Sequence, residues 1–191
     1  PEPEKELPFT DVKKSDWSYK AIKYMYDNKY ISGTTSTTFS PKMKLTRGML
    51  VTILHNMEGK PNVSGKSKFP DVQNTNEYYY SAVKWASKNN IVNGYNNGKF
   101  GPNDPIKREQ LAVMLNQYSI YKGTYQKTNA DFSKFSDSNK ISDFAKWGMN
   151  WAVGTGVITG TTEKTLIPQG TASREEAAAM IYKYFLSLKN S

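Results

Sequence analysis

Three arginines stand in repeated surroundings. Arg47, Arg108 and Arg174 each lie six residues after a proline (Pro41, Pro102, Pro168), which itself lies eight residues after a glycine (Gly33, Gly94, Gly160). Each arginine opens a helical pattern. In the first, Thr46 is a plausible N-cap, and Leu50, Ile53 and Leu54 follow at helical spacing. The N-terminus of a helix is already the positive end of its dipole, so a cation there is mildly unfavourable and an anion is favoured. Two chemistries are open to such an arginine: contact with a ligand, or an internal ion pair. The candidate partners for the second are Asp11, Asp71 and Asp137, which recur 36, 37 and 37 residues ahead of the arginines. Catalytic chemistry has no comparable support. The sequence offers no paired carboxylates in a supporting context, no metal-ligand cluster and no phosphate-binding glycine motif. His55 is the single histidine and there is no cysteine. No cofactor is expected.

The elements that must position these arginines form a repeat. Phe9-Thr10-Asp11-Val12 is matched by Phe69-Pro70-Asp71-Val72 and by Phe135-Ser136-Asp137. A first helix follows each, with an apolar face of Trp17, Ala21, Ile22, Tyr24 and Met25 in the first copy. The second copy offers Tyr78, Ala82, Val83, Trp85 and Ala86, and the third Phe144, Gly148, Met149, Trp151 and Ala152. The glycine then supplies a positive φ or a close backbone approach. A loop pinned inward by Phe39, Phe100 or Leu166 leads to the arginine and the second helix. Ser173 and Glu176 form a capping box in the third copy, and the acidic Glu175–Glu176 pair suits a first helical turn. Gly48, after Arg47, is expected to loosen its helix start. Each unit is too small to bury both of its faces, so the three are expected to pack together as one cooperative all-α domain. The expected boundaries are a linker at 1–8 and repeats at 9–59, 69–121 and 135–187. The opening "PEPEKELP" reads as a semi-rigid spacer, with another domain expected upstream.

The charge, 26 basic against 17 acidic residues or +9, favours anionic partners. Nucleic acid is the weakest of these, since the basic residues are dispersed and no reading motif is present. No apolar run approaches a membrane span, so membrane insertion is not expected.

The repeat resembles the S-layer homology family over roughly residues 8–187. The likeness rests on the opening F-x-D, the aromatic and alanine pattern of the first helix, the "IVNGY" type of turn, and F-x-P ahead of a T-R-A-E motif. That motif stands here as Thr46-Arg47-Gly48-Met49, Lys107-Arg108-Glu109-Gln110 and Ser173-Arg174-Glu175-Glu176. The resemblance implies three helix–loop–helix repeats packed as a pseudo-threefold, three-pronged spindle. It also implies extracellular anchoring of a surface protein to the wall of a Gram-positive or related bacterium. The partner so implied is secondary cell-wall polysaccharide carrying pyruvylated N-acetylmannosamine, held in grooves between repeats with the motif arginines as main contacts. A pyruvate carboxylate would meet both the helix N-terminus and a two-pronged guanidinium. Arg108 ranks first on sequence, because Tyr95 and Lys99 stand in the loop of its own repeat. Gly33, Gly94 and Gly160 serve turn geometry first and ligand access second. Tyr24, Trp85 and Trp151, each nine residues before its glycine, are core residues or sugar-stacking platforms. The rival function, from a different class, is a protein–protein module for lateral assembly of a surface layer.

Overall fold

The computed structural model describes residues 6–189. Residues 1–5 of the expected spacer lie outside the described residues; within the remainder Glu6 pairs with Lys14 and Leu7 packs on the core. Six α-helices are present, and no strand occurs among the described residues. They are α1 (Tyr19–Asp27), α2 (Arg47–Met57), α3 (Tyr80–Lys88), α4 (Arg108–Tyr121), α5 (Lys146–Gly154) and α6 (Arg174–Lys189). Two 3₁₀ turns, Ser138–Lys140 and Asp143–Ala145, lead into α5. None of the helices is long and apolar enough to cross a membrane.

The two helices of one repeat do not form a packed pair. Instead α2 packs on α3, α4 on α5, and α6 returns to α1, so each pair joins neighbouring repeats and the third closes a ring. At 9 to 16 residues these helices are marginal alone, and the interfaces between repeats supply what each lacks. Ring contacts follow the pairing: His55 faces Trp85 at 5.3 Å, and Tyr24 faces Tyr182 at 5.0 Å. The second helices also meet one another towards their C-terminal ends. There Tyr118 of α4 donates to Glu58, which caps α2, and lies 6.0 Å from Tyr184 of α6.

A second ring lies in the backbone two residues ahead of each arginine. The N–H of Leu45 donates to Ala172 C=O, that of Ala172 to Ile106 C=O, and that of Ile106 to Leu45 C=O, at 2.9, 2.9 and 2.8 Å. All three side chains are fully buried. Three hydrogen bonds passing head to tail around one point leave none of these amides for water.

The glycine–proline–arginine spacing has a physical cause in this closure. Each proline carbonyl accepts the second free N–H of the preceding repeat's second helix: Pro102 from Gly48, Pro168 from Glu109, Pro41 from Glu175. The first N–H of the same helices goes to Asp104, Gly170 and Met43. The capping box of the third repeat is formed, with Ser173 N–H on Glu176 at 2.8 Å and Glu176 N–H on Ser173 Oγ at 3.3 Å.

The residue after each arginine is buried at the interface between repeats. Glu109 accepts from the N–H and hydroxyl of Ser142, and Glu175 accepts from Ser18 Oγ and pairs with Lys42. Glu175 is thus a clasp between repeats, beyond the dipole role expected of it. In the first repeat Gly48 takes this position. A Cβ there would fall 2.8 Å from Pro102 O and 3.2 Å from the Tyr79 ring. Tyr79 fills the space that a glutamate occupies in the other two interfaces, so Gly48 serves close packing. Gly48→Ala is expected to lower stability by about 1–3 kcal/mol, the usual cost of overpacking. The melting temperature of Gly48→Ala, followed by thermal unfolding, checks this.

Candidate functional site: grooves between repeats

The arginines are 4–6% exposed, and each reaches into the next repeat of the ring. Arg47 donates from Nε to Phe100 C=O at 2.8 Å and from an Nη to Asn93 C=O at 3.1 Å. Arg174 donates to Phe39 C=O at 3.0 Å and Ser32 C=O at 2.6 Å. Arg108 donates to Leu166 C=O at 2.9 Å, and its second contact is Glu176 at 3.0 Å. The aspartates of the F-x-D motif hold the same peptides from the other side. Asp11 accepts from the N–H of Phe39 and Ser40, Asp71 from Phe100 and Gly101, and Asp137 from Leu166 and Ile167. The direct Asp–Arg ion pair considered from the sequence is therefore replaced by a relay, carboxylate to peptide to guanidinium. Burial pushes all three guanidiniums below the ordinary arginine value; nearby carboxylates oppose it, Asp71 and Asp104 for Arg47, Glu176 and Asp137 for Arg108, and Asp11 for Arg174.

The helix N-termini are not open anion sites. Their first two N–H groups are spent on loop carbonyls of the neighbouring repeat, and Met49 N–H goes to the Thr46 hydroxyl. The expectation that free N–H groups greet a carboxylate beside the arginine is corrected accordingly.

Two grooves of about 320 Å³ open where the repeats meet. One runs over Arg174, the turn Tyr30–Thr34 with Gly33, and α2 residues Met49, Thr52 and Asn56, with Tyr78 on its rim. The other holds Arg108, the turn Val157–Thr161 with Gly160, Glu176, Met180 and Lys183, with Trp17 on its rim. Each thus draws on all three repeats. Burial and neighbouring Arg108 push the Lys183 ammonium below the ordinary lysine value, and it donates to Thr159 Oγ1 at 2.8 Å. At the equivalent position around Arg47, Tyr95 lays its ring over the guanidinium at 4.6 Å. Thr34 and Thr161 take the place of Tyr95 in the two open grooves.

The three turns use their glycines differently. Only Gly160 has a positive φ, 98°. A Cβ on Gly33 would fall 2.5 Å from the Phe9 ring, and one on Gly94 2.7 Å from Phe69. So the phenylalanine of F-x-D packs beneath the turn while its aspartate holds the loop.

Other residues singled out by sequence are placed elsewhere. Trp85 and Trp151 are 1% and 2% exposed and offer no face to a sugar. Tyr24 is half-buried against Tyr30, Tyr182 and Phe185. Lys99 lines a separate cavity of about 300 Å³ with Asp71, Tyr95 and Asp104. The most exposed aromatics among the described residues are Trp17, Tyr78 and Phe144, 62%, 55% and 63% exposed. Assigned from the helical pattern to a buried face, they stand just ahead of the helix starts instead. Their signal was available, since each lies sixteen residues before its glycine and each is aromatic. Among the described residues no group of acidic or histidine side chains could hold a metal ion.

The S-layer homology domain model matches residues 8–48, 68–112 and 134–178. The chain is 33% identical over 175 residues to an endoglucanase of Bacillus sp. (strain KSM-635), covering 92% of this chain and 18% of that protein. It is 26% identical over 169 residues to a surface-layer 125 kDa protein of Lysinibacillus sphaericus, covering 87% and 14%. It is 23% identical over 155 residues to a cellulosome-anchoring protein of Acetivibrio thermocellus, covering 80% and 34%. The chain thus spans a minor part of each of these relatives. With three matched repeats covering most of its length, the chain belongs to the S-layer homology domain family.

Proposed function

We propose that this chain anchors a larger protein by holding an acidic secondary cell-wall polysaccharide, with pyruvylated N-acetylmannosamine, in the grooves between its repeats. Its place at the cell surface and its general role in wall anchoring follow from family membership and from relatives that include surface-layer and anchoring proteins. The stretch is shared by proteins named as an endoglucanase, a surface-layer protein and a cellulosome-anchoring protein, of which it makes up 18%, 14% and 34%. What proteins of such different names share is an attachment function rather than one catalytic activity.

The observation that carries the glycan reading is the pairing, in one groove, of a guanidinium with an exposed aromatic ring over a floor of mixed polar and apolar side chains. The guanidinium supplies charge-assisted hydrogen bonds to a carboxylate, and the ring packs on the apolar C–H face of a sugar. The order of the sites changes from that favoured on sequence. Arg108 already carries the Glu176 carboxylate, and Arg47 lies beneath Tyr95. Arg174 takes only carbonyl acceptors among the described residues, so its groove is the preferred anion site.

Titration of a pyruvylated disaccharide tests this. Tyr78→Ala is expected to weaken binding ~10-fold, worth about 1.4 kcal/mol, with the melting temperature unchanged. Trp17→Ala should matter less and Phe144→Ala least. Removing pyruvate from the glycan should cost at least the roughly 1.5–3 kcal/mol of a charge-assisted hydrogen bond. Equal binding of the depyruvylated sugar rules out the carboxylate, and indifference to all three aromatic substitutions rules out the grooves.

A further inference from the structure

Beside the Arg174 groove lies a cavity of about 700 Å³ with a different lining. The two share Ile31, Ser32 and Asn56 in their linings, so they lie side by side. Ser32 is the junction: its carbonyl accepts from Arg174 on the groove side, at 2.6 Å. The cavity carries Lys23, Lys29 and Lys60 against a single carboxylate, Asp27, which sits 2.7 Å from Lys23. Three ammonium groups against one carboxylate leave its walls net positive.

Two of these lysines are held in an unusual backbone. Lys29 and Lys60 both have φ of 61°, the left-handed region that a lysine side chain disfavours. Lys29 lies four residues before Gly33, and the matching positions in the other repeats are Asn90, with φ of 58°, and Gly156, with φ of 77°. Asparagine and glycine are the residues that accept this geometry readily. The first repeat alone places a cation there, at a conformational cost, on the wall of a cavity that adjoins the groove. Backbone strain of this kind collects at functional sites.

We propose that this cavity is a second anion subsite, so that an acidic glycan strand is held at two points: one charged unit at Arg174, and a further carboxylate-bearing unit among Lys23, Lys29 and Lys60. The proposal rests on the glycan reading of the Arg174 groove and specifies its ligand as a strand bearing acidic groups on more than one unit. The two points differ in kind. Arg174 is buried and fixed by the Phe39 and Ser32 carbonyls, whereas Lys29 and Lys60 are exposed point charges with flexible stems. Position at the first subsite and charge at the second make affinity depend on strand length, as for any tethered second contact.

The whole chain is titrated with a pyruvylated disaccharide and with a longer oligosaccharide of several pyruvylated units, at low and high salt. The longer strand is expected to bind ~10-fold tighter at low salt, with most of that gain lost at high salt because the exposed lysines are screened. Lys29→Gln with Lys60→Gln should abolish the length-dependent gain and leave disaccharide binding and melting temperature unchanged. Lys29→Gly gives an independent readout: relief of the left-handed backbone should raise the melting temperature while reducing the gain for the longer strand. Equal binding of both sugars by the unaltered chain, or a full gain surviving in the double variant, overturns the second subsite while sparing the first. Failure of both sugars to bind overturns the glycan reading itself, and this proposal with it.

Discussion

Residues 1–60, taken alone, are expected to show no cooperative thermal transition. They contain α1 and α2, but the packing partner of α1 is α6 and that of α2 is α3. Cutting there removes both helix pairs and leaves two helices of 9 and 11 residues, too short to persist in water unaided. It also removes every acceptor of the Arg47 side chain, namely Phe100 and Asn93. The carbonyls of Asp104 and Pro102 that close the start of α2 are lost as well. Leu45 loses both partners in the backbone ring, Ala172 and Ile106. The intact chain is expected to unfold in a single transition, since no repeat holds a complete interface of its own. Circular dichroism of the fragment and calorimetry of the whole chain check this. A sharp, independent melt of residues 1–60 would show that a repeat can satisfy its own core.

Asp137→Ala is expected to destabilise the chain by about 3 kcal/mol, from two lost charge-assisted hydrogen bonds and a buried amide left unpaired. Asp137 is 8% exposed and accepts from Leu166 N–H at 2.9 Å and Ile167 N–H at 2.8 Å. The carbonyl of the same Leu166 accepts from Arg108, and the loop beyond it supplies Pro168 and Gly170 to the start of α4. Releasing the loop therefore loosens the joint between the second and third repeats. For a chain of this size the melting temperature should fall by roughly 6–12 °C. Asp143→Ala, at a carboxylate 94% exposed, should leave it unchanged. The pH dependence follows with a definite sign. Burial pushes the Asp71 and Asp137 carboxyls up, but the loop N–H donors outweigh it and hold both below the ordinary aspartate value. A carboxyl with a depressed native pKa contributes stability that is complete above its unfolded value, near pH 4, and is lost as pH falls through the native value. Melting temperature followed from pH 7 to pH 2 should therefore drop below about pH 4. The drop should be shallower in Asp137→Ala, which lacks one of the linked groups; parallel curves would show that Asp137 carries no such linkage.

Much of this molecule was legible in its sequence. The three repeats, their register and the all-helical class follow from spacing and hydrophobic period, which depend only on local order along the chain. Phe39, Phe100 and Leu166 are fully buried, as their place in each loop suggests, and Ser173 and Glu176 cap α6. Periodicity says that a helix has a buried face; it does not say against what. Three copies of one pattern carry the same local signal whether each folds on itself or on its neighbour, so the pairing of α2 with α3, α4 with α5 and α6 with α1 was decided only in three dimensions. The arginines show the same limit. Their surroundings marked them as special, but that they donate to carbonyls of the next repeat, and that other carbonyls of the same loops close the helix starts, depends on ring closure. Trp17, Tyr78 and Phe144 fit a helical apolar stripe as well as Trp85 and Trp151 do, yet the former stand ahead of the helix starts and are exposed, Tyr78 and Trp17 on the groove rims, while the latter are enclosed. An aromatic side chain has the same local preference in either setting, and what separates core from groove is the neighbouring repeat brought alongside it by the fold.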